Sequence, residues 1–231
     1  GEKPVPVEQL MRDMRINRIF EGSTEIMHLL IAREAVDQHL EVAGELLEGD
    51  GDLKAKARSA VEAGRFYSRW LPQLAVGKGQ RPGSYEEFGA LAGHVRYAER
   101  SSRKLARSTF YAMSRWQAKL EKKQAVLGRI VDIGAELFAI SAAAVYAQTL
   151  REEHPERGDE AVELADLFIR QARRRVEALF GELFSNDDDA NYALAQQVLE
   201  GRHTWLEEGI ADPAGDGPML AERPAEVSRT G

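Results

Sequence analysis

Apolar residues recur at helical spacing along almost the whole chain. Leu10 and Met14, continued by Ile16 and Ile19, form one stripe and predict a short helix over Val7 to Arg15. That run stops at Gly22, a residue suited to ending helices because it takes positive φ without a Cβ clash. A second apolar face, Ile26, Leu29, Leu30, Ile31 and Val36, follows at once. It predicts helix from Ser23 to about Ala43, with Ser23 or Thr24 as the N-cap. Residues 1–6 read as an extended lead-in, since each proline disfavours the α region in its predecessor. Ile16 to Gly22 is therefore a tight turn between two helices.

Beyond a glycine- and aspartate-rich linker at 44–52, the pattern stays helical. Helices are expected over about 53–76, Tyr85 to Arg115, Leu120 to Glu153, Asp159 to Phe184 and Asp187 to Arg202. The breaks between them fall at Gly77 to Ser84 and His154 to Gly158. Val, Ile and Thr do not alternate in runs, so no strands are predicted. The fold class is all-α, an antiparallel helical bundle with short loops. The expected organisation is residues 1–43 as one helical piece, 44–52 as linker, 53–206 as a helical domain, and 207–231 as a polar, turn-rich, flexible tail.

Composition narrows the function classes. A chain of 231 residues that is 43% hydrophobic has ample material for a core. Its net charge of −7, with both signs mixed throughout, argues against a nucleic-acid surface. The absence of cysteine removes disulfides and thiolate chemistry. The most apolar stretch, Ile130 to Tyr146, is interrupted by Asp132 and Glu136 and reads as a buried helix. The five histidines never pair at metal-ligand spacing, so no metal site is expected.

The tight turn carries the candidate chemistry. Glu21 stands between Phe20 and Gly22, and two hydroxyls, Ser23 and Thr24, open the next helix. Free N–H groups and the positive dipole end there favour a bound anion. By spacing alone, Glu21 reads as a solvated turn acid beside a helix start rather than as a base.

Phe20-Glu21-Gly22-Ser23-Thr24-Glu25-Ile26, followed by Leu29-Leu30-Ile31-Ala32-Arg33, resembles the C-terminal signature of the acyl-CoA dehydrogenases. Arg12-Asp13-Met14-Arg15-Ile16 fits the same family's approach helix. The helical extension beyond it resembles, more loosely, the very-long-chain subgroup with an extra C-terminal domain. The resemblance implies that Glu21 is the catalytic base for α,β-dehydrogenation of an acyl-CoA, and that Gly22 adjoins the substrate. It implies that Ser23, Thr24 and Glu25 contact FAD, although the usual Thr-then-Ser/Asn order is reversed here. It also implies an electron-transferring flavoprotein as partner, a homodimer, possible peripheral membrane contact through the extension, and a cytoplasmic setting. The chain would then be a C-terminal part of that enzyme and inactive alone.

The rest reads as structure. Arg170, Arg173, Arg174 and Arg175 lie among acidic neighbours and predict a solvated or salt-bridged helix face, as do Arg96, Arg100, Arg103, Lys104 and Arg107. Trp70, Trp116 and Tyr146 are expected in the core. The competing reading of the whole is a non-enzymatic helical scaffold or oligomerisation module.

Overall fold

The structure, a computed structural model, describes residues 6–20, 22–47 and 53–207. The chain forms two compact units, Gly1–Ser185 and Asn186–Gly231. Among the described residues every regular element is helical, in keeping with the all-α expectation. The larger unit holds α1 (Val7–Ile16), α2 (Thr24–Leu47), α3 (Leu53–Ala75), α4 (Ala92–Trp116), α5 (Gln124–Glu153) and α6 (Pro155–Glu182). The smaller unit holds α7 (Asp188–Leu199). Helix α2 runs through Gly44 to Leu47, and residues 48–52 of the expected linker, like the tail beyond 207, lie outside the described residues.

Three helix starts differ from the sequence expectation, one being α5, which begins at Gln124 rather than Leu120 after a 3-10 turn over Gln117–Lys122. Helix α4 begins at Ala92 rather than Tyr85, because Gly89 adopts φ 54°, ψ −121° and interrupts the helical path. Helix α6 begins at Pro155, so Asp159 lies inside the helix and does not cap it. Proline suits a first helical position, where its missing N–H has no intrahelical partner to lose.

The core is built around α5. Ile133, Leu137, Ile140 and Ala144 on its inner face pack with Tyr97 and Ala98 of α4 and with Ile169, Ala172 and Val176 of α6. By length and composition α5 is apolar enough to cross a membrane, yet this inner face is sealed inside the bundle. Its outer face keeps Phe138, Val145 and Tyr146 exposed. Tyr146, at 65% exposure, is thus not the core residue expected; Trp70 and Trp116 are half-buried in aromatic stacks with Phe66 and Phe184.

Polar groups lock α4 to α6. His94 is buried; its Nε2–H donates to Asp166 Oδ1 at 2.8 Å and its Nδ1 accepts from Arg173 at 3.0 Å. A guanidinium only donates, so the network assigns the ring proton to Nε2. Arg173 also stacks over the Tyr97 ring at 4.2 Å, and the Tyr97 hydroxyl donates to Glu177 at 2.8 Å. On the same helix Arg170 pairs with Asp166, and Arg175 grips Glu136 of α5 with two bonds of 2.5 and 2.9 Å. Two of the four arginines in that run, Arg173 and Arg175, are therefore cross-links between helices, and a third, Arg170, pairs within α6.

The basic row on α4 does something the sequence reading missed. Arg100 donates to the Gly79 carbonyl at 2.6 Å, Arg96 to the Ser84 carbonyl at 2.8 Å, and Arg107 to the Leu74 carbonyl at the end of α3. The row holds the 77–84 loop and the last turn of α3, whose orphan carbonyls need donors. Gly79 is obligatory in that arrangement. A Cβ there would lie 2.3 Å from Glu99 Oε2 and 2.7 Å from the Arg96 carbonyl oxygen.

Burial, then the hydrogen bond to Glu177, pushes the Tyr97 hydroxyl up to about 12. A raised folded-state value means the protonated phenol stabilises the fold below its unfolded value of about 10, and that this contribution disappears as pH rises through about 12. Denaturant titrations should show stability falling by about 2–3 kcal/mol across that window. Tyr97→Phe should flatten the fall and cost about 1 kcal/mol at neutral pH.

Candidate active-site corner

The corner is a turn closed by backbone bonds. The N–H of Phe20 donates to the Ile16 carbonyl at 2.9 Å, and the N–H of Thr24 reaches back to the Arg18 carbonyl at 3.3 Å. Gly22 has φ +112°, the conformation for which its missing Cβ was expected to matter; a Cβ there would also lie 3.1 Å from Met27 Sδ. The Met27 N–H donates to the Ser23 carbonyl at 2.9 Å, which makes Ser23 the N-cap and Thr24 the first residue of α2.

Gly22, Ser23 and Thr24 are half-buried and Glu25 is exposed. Glu25's own backbone N–H and then the Ser23 hydroxyl hold its carboxyl below the ordinary carboxylate range, with smaller contributions from Arg18 and His28. A carboxylate in the first turn of a helix is favoured by the dipole, so Glu25 supports the helix start. Glu21 itself lies outside the described residues.

Around the turn the apolar side chains stand open. Leu10, Met14, Ile16, Ile19, Phe20 and Ile26 are all exposed, Phe20 at 59%. The described residues leave Phe20, the apolar neighbour of Glu21, largely uncovered.

Helix α2 carries the corner onto the bundle. Ala32, 2% exposed, packs into a cluster with Ala112, Leu127, Ile130, Val131 and Leu183, and Leu29 lies against the same cluster. His28 Nε2 stands 3.4 Å from Asp132 Oδ1 on α5. The small side chain of Ala32 sets how closely α2 approaches α5, since interaxial distance follows the residues at the contact.

Residues 2–36, which include the whole corner, match the family described as acyl-CoA dehydrogenase, C-terminal domain. The likeness does not stop at the motif. Over 222 residues, 96% of the chain, it is 63% identical to the probable acyl-CoA dehydrogenase FadE10 of Mycobacterium tuberculosis and of Mycobacterium bovis. It is 25% identical over 174 residues, 74% of the chain and 26% of the relative, to a probable acyl-CoA dehydrogenase of Bacillus subtilis. The chain spans about a third (34%) of the length of the mycobacterial proteins. In fold it is like the acyl-CoA dehydrogenase complexed with FAD from Bacillus anthracis, with a TM-score of 0.51 and 23% identity over 87% of this chain and 31% of that one.

Replacing Ala32 by Leu should overpack the α2–α5 contact. Thermal or denaturant unfolding should show a loss of about 1–3 kcal/mol, against less than about 0.5 kcal/mol for the same change at an exposed α2 position such as Ala35.

Proposed function

We propose that this chain is the C-terminal part of an FAD-dependent acyl-CoA dehydrogenase acting on long-chain substrates in fatty acid β-oxidation. In this reading residues 1–43 complete the catalytic domain and 53–206 form an appended helical domain of the very-long-chain type. The observation that carries it is the helix–Gly22–helix corner, with the family sequence in register on it and 63% identity continuing through the helical extension.

Glu21 is the base. An α C–H of a thioester is a weak acid, so proton removal needs a carboxylate held near the α carbon and out of bulk water, where desolvation raises its proton affinity. Phe20 supplies one apolar wall, and its exposure here is consistent with other walls coming from parts of a longer chain and from the acyl group itself. Gly22 leaves room for the thioester beside the base.

The first turn of α2 offers a fitting edge for the cofactor: a half-buried N-cap hydroxyl at Ser23, a half-buried Thr24 and the positive end of the helix dipole. Glu25's carboxylate already engages its own N–H and Ser23, which leaves Thr24 as the hydroxyl better placed to serve the flavin. Bound FAD supplies the acceptor for the hydride that leaves the β carbon. The proton goes to Glu21, and the electrons pass on to an electron-transferring flavoprotein. A homodimer with peripheral membrane contact through the exposed apolar face of α5 and α6 fits the same reading.

The test is anaerobic mixing of the intact parent protein with a long-chain acyl-CoA, in wild type and Glu21→Gln. Flavin bleaching that Gln slows by at least about 10³-fold with flavin still bound is the expected result. Equal bleaching would move the base elsewhere. A parent protein that binds no flavin would leave the helical scaffold as the better account.

A further inference from the structure

We propose that Asp132, acting through His28, is a positioning pair: α5 uses it to set the first turn of α2, and with it the Ser23–Thr24–Glu25 edge, against the flavin. The inference rests on the flavin reading above and extends it to residues of the helical extension.

His28 lies in the second turn of α2, directly after the turn that carries Thr24 and Glu25. Its ring lies against the α5 backbone at Gly128, where a Cβ would stand 3.6 Å from His28 Nδ1. From there Nε2 reaches the Asp132 carboxylate at 3.4 Å, with side-chain exposures of 25% for His28 and 45% for Asp132. His28 precedes Leu29 and Ala32 on the same docking face. Those two apolar contacts fix the distance between the helices but permit sliding and rotation, because burial is non-directional. The polar His28–Asp132 contact joins one point on α2 to one point on α5, so it sets the rotation of α2 about its axis.

His28 also acts weakly on the acid of the corner through charge. It contributes to holding Glu25's carboxyl low, after Glu25's own N–H, the Ser23 hydroxyl and Arg18. A rotation of α2 about its axis would displace the Ser23 and Thr24 hydroxyls.

The experiment uses the intact parent protein, with flavin retention, the visible circular dichroism of bound flavin and the melting temperature measured together. Asp132→Asn and His28→Gln should each weaken flavin binding about three- to fivefold, the scale of one partly exposed pair, and shift the flavin dichroism. Asp132→Glu should restore both. The control is Glu136→Gln, which breaks the Arg175 pair on the same helix; it should lower the melting temperature without touching the flavin signals. Unchanged flavin affinity and dichroism in Asp132→Asn would overturn the proposal, and so would equal flavin loss in Glu136→Gln. A wild-type protein with no flavin would overturn the proposed function itself, and this inference with it.

Discussion

Everything at the corner depends on one close contact, the burial of Ala32 of α2 against α5. A helix start is a useful site only if its first turn is held still, and α1 cannot hold it, since none of its residues is buried. The corner is thus anchored from one side, by the face of α2 that carries His28, Leu29 and Ala32. The helical extension is for that reason part of the site's support rather than an independent attachment.

The bundle that provides this support is fastened in part by charged and polar side chains. The α4–α6 seam runs through Asp166, His94, Arg173, Tyr97 and Glu177, and among the described residues no buried side-chain N or O atom lacks a partner. His94 is the most buried member and has both ring nitrogens engaged. Removing any one partner would leave another partly desolvated, which costs more than the bond itself contributes. On the other face of α4 a row of arginines closes the 77–84 loop by bonding its carbonyls. Such side chain-to-backbone links specify one loop conformation where an apolar loop core is lacking.

Much of this was legible beforehand, and the rest was not for identifiable reasons. Helical periodicity located the helices of the larger unit, and Gly22 was recognisable as a positive-φ position because an apolar stripe ends there and another begins. Local punctuation misled at Asp159, where Pro155 had already started the helix, and at Tyr85, where a single backbone excursion at Gly89 delayed it. The arginines of α4 looked like a solvated or salt-bridged face, which holds for Arg103 with Glu99, but nothing in spacing reveals that a distant loop presents carbonyls to the others. His94 and Asp166, 72 residues apart, could be paired only by the fold. Tyr146 was misplaced because hydrophobicity alone does not say which face of α5 finds a partner. Of the candidate site, Gly22, Ser23, Thr24 and Glu25 fall on one turn as the motif implies, whereas the base, Glu21, lies outside the described residues.

The central claim is that α2 and α5 behave as one cooperative element, so that the corner inherits the rigidity of the bundle. Native-state hydrogen exchange reads this directly, since amides in one cooperative unit open together. Amides of Leu29–Arg33 are predicted to exchange with the same opening free energy as those of Ile130–Leu137 in α5. Fast exchange throughout α2 while α5 stays protected would contradict the account.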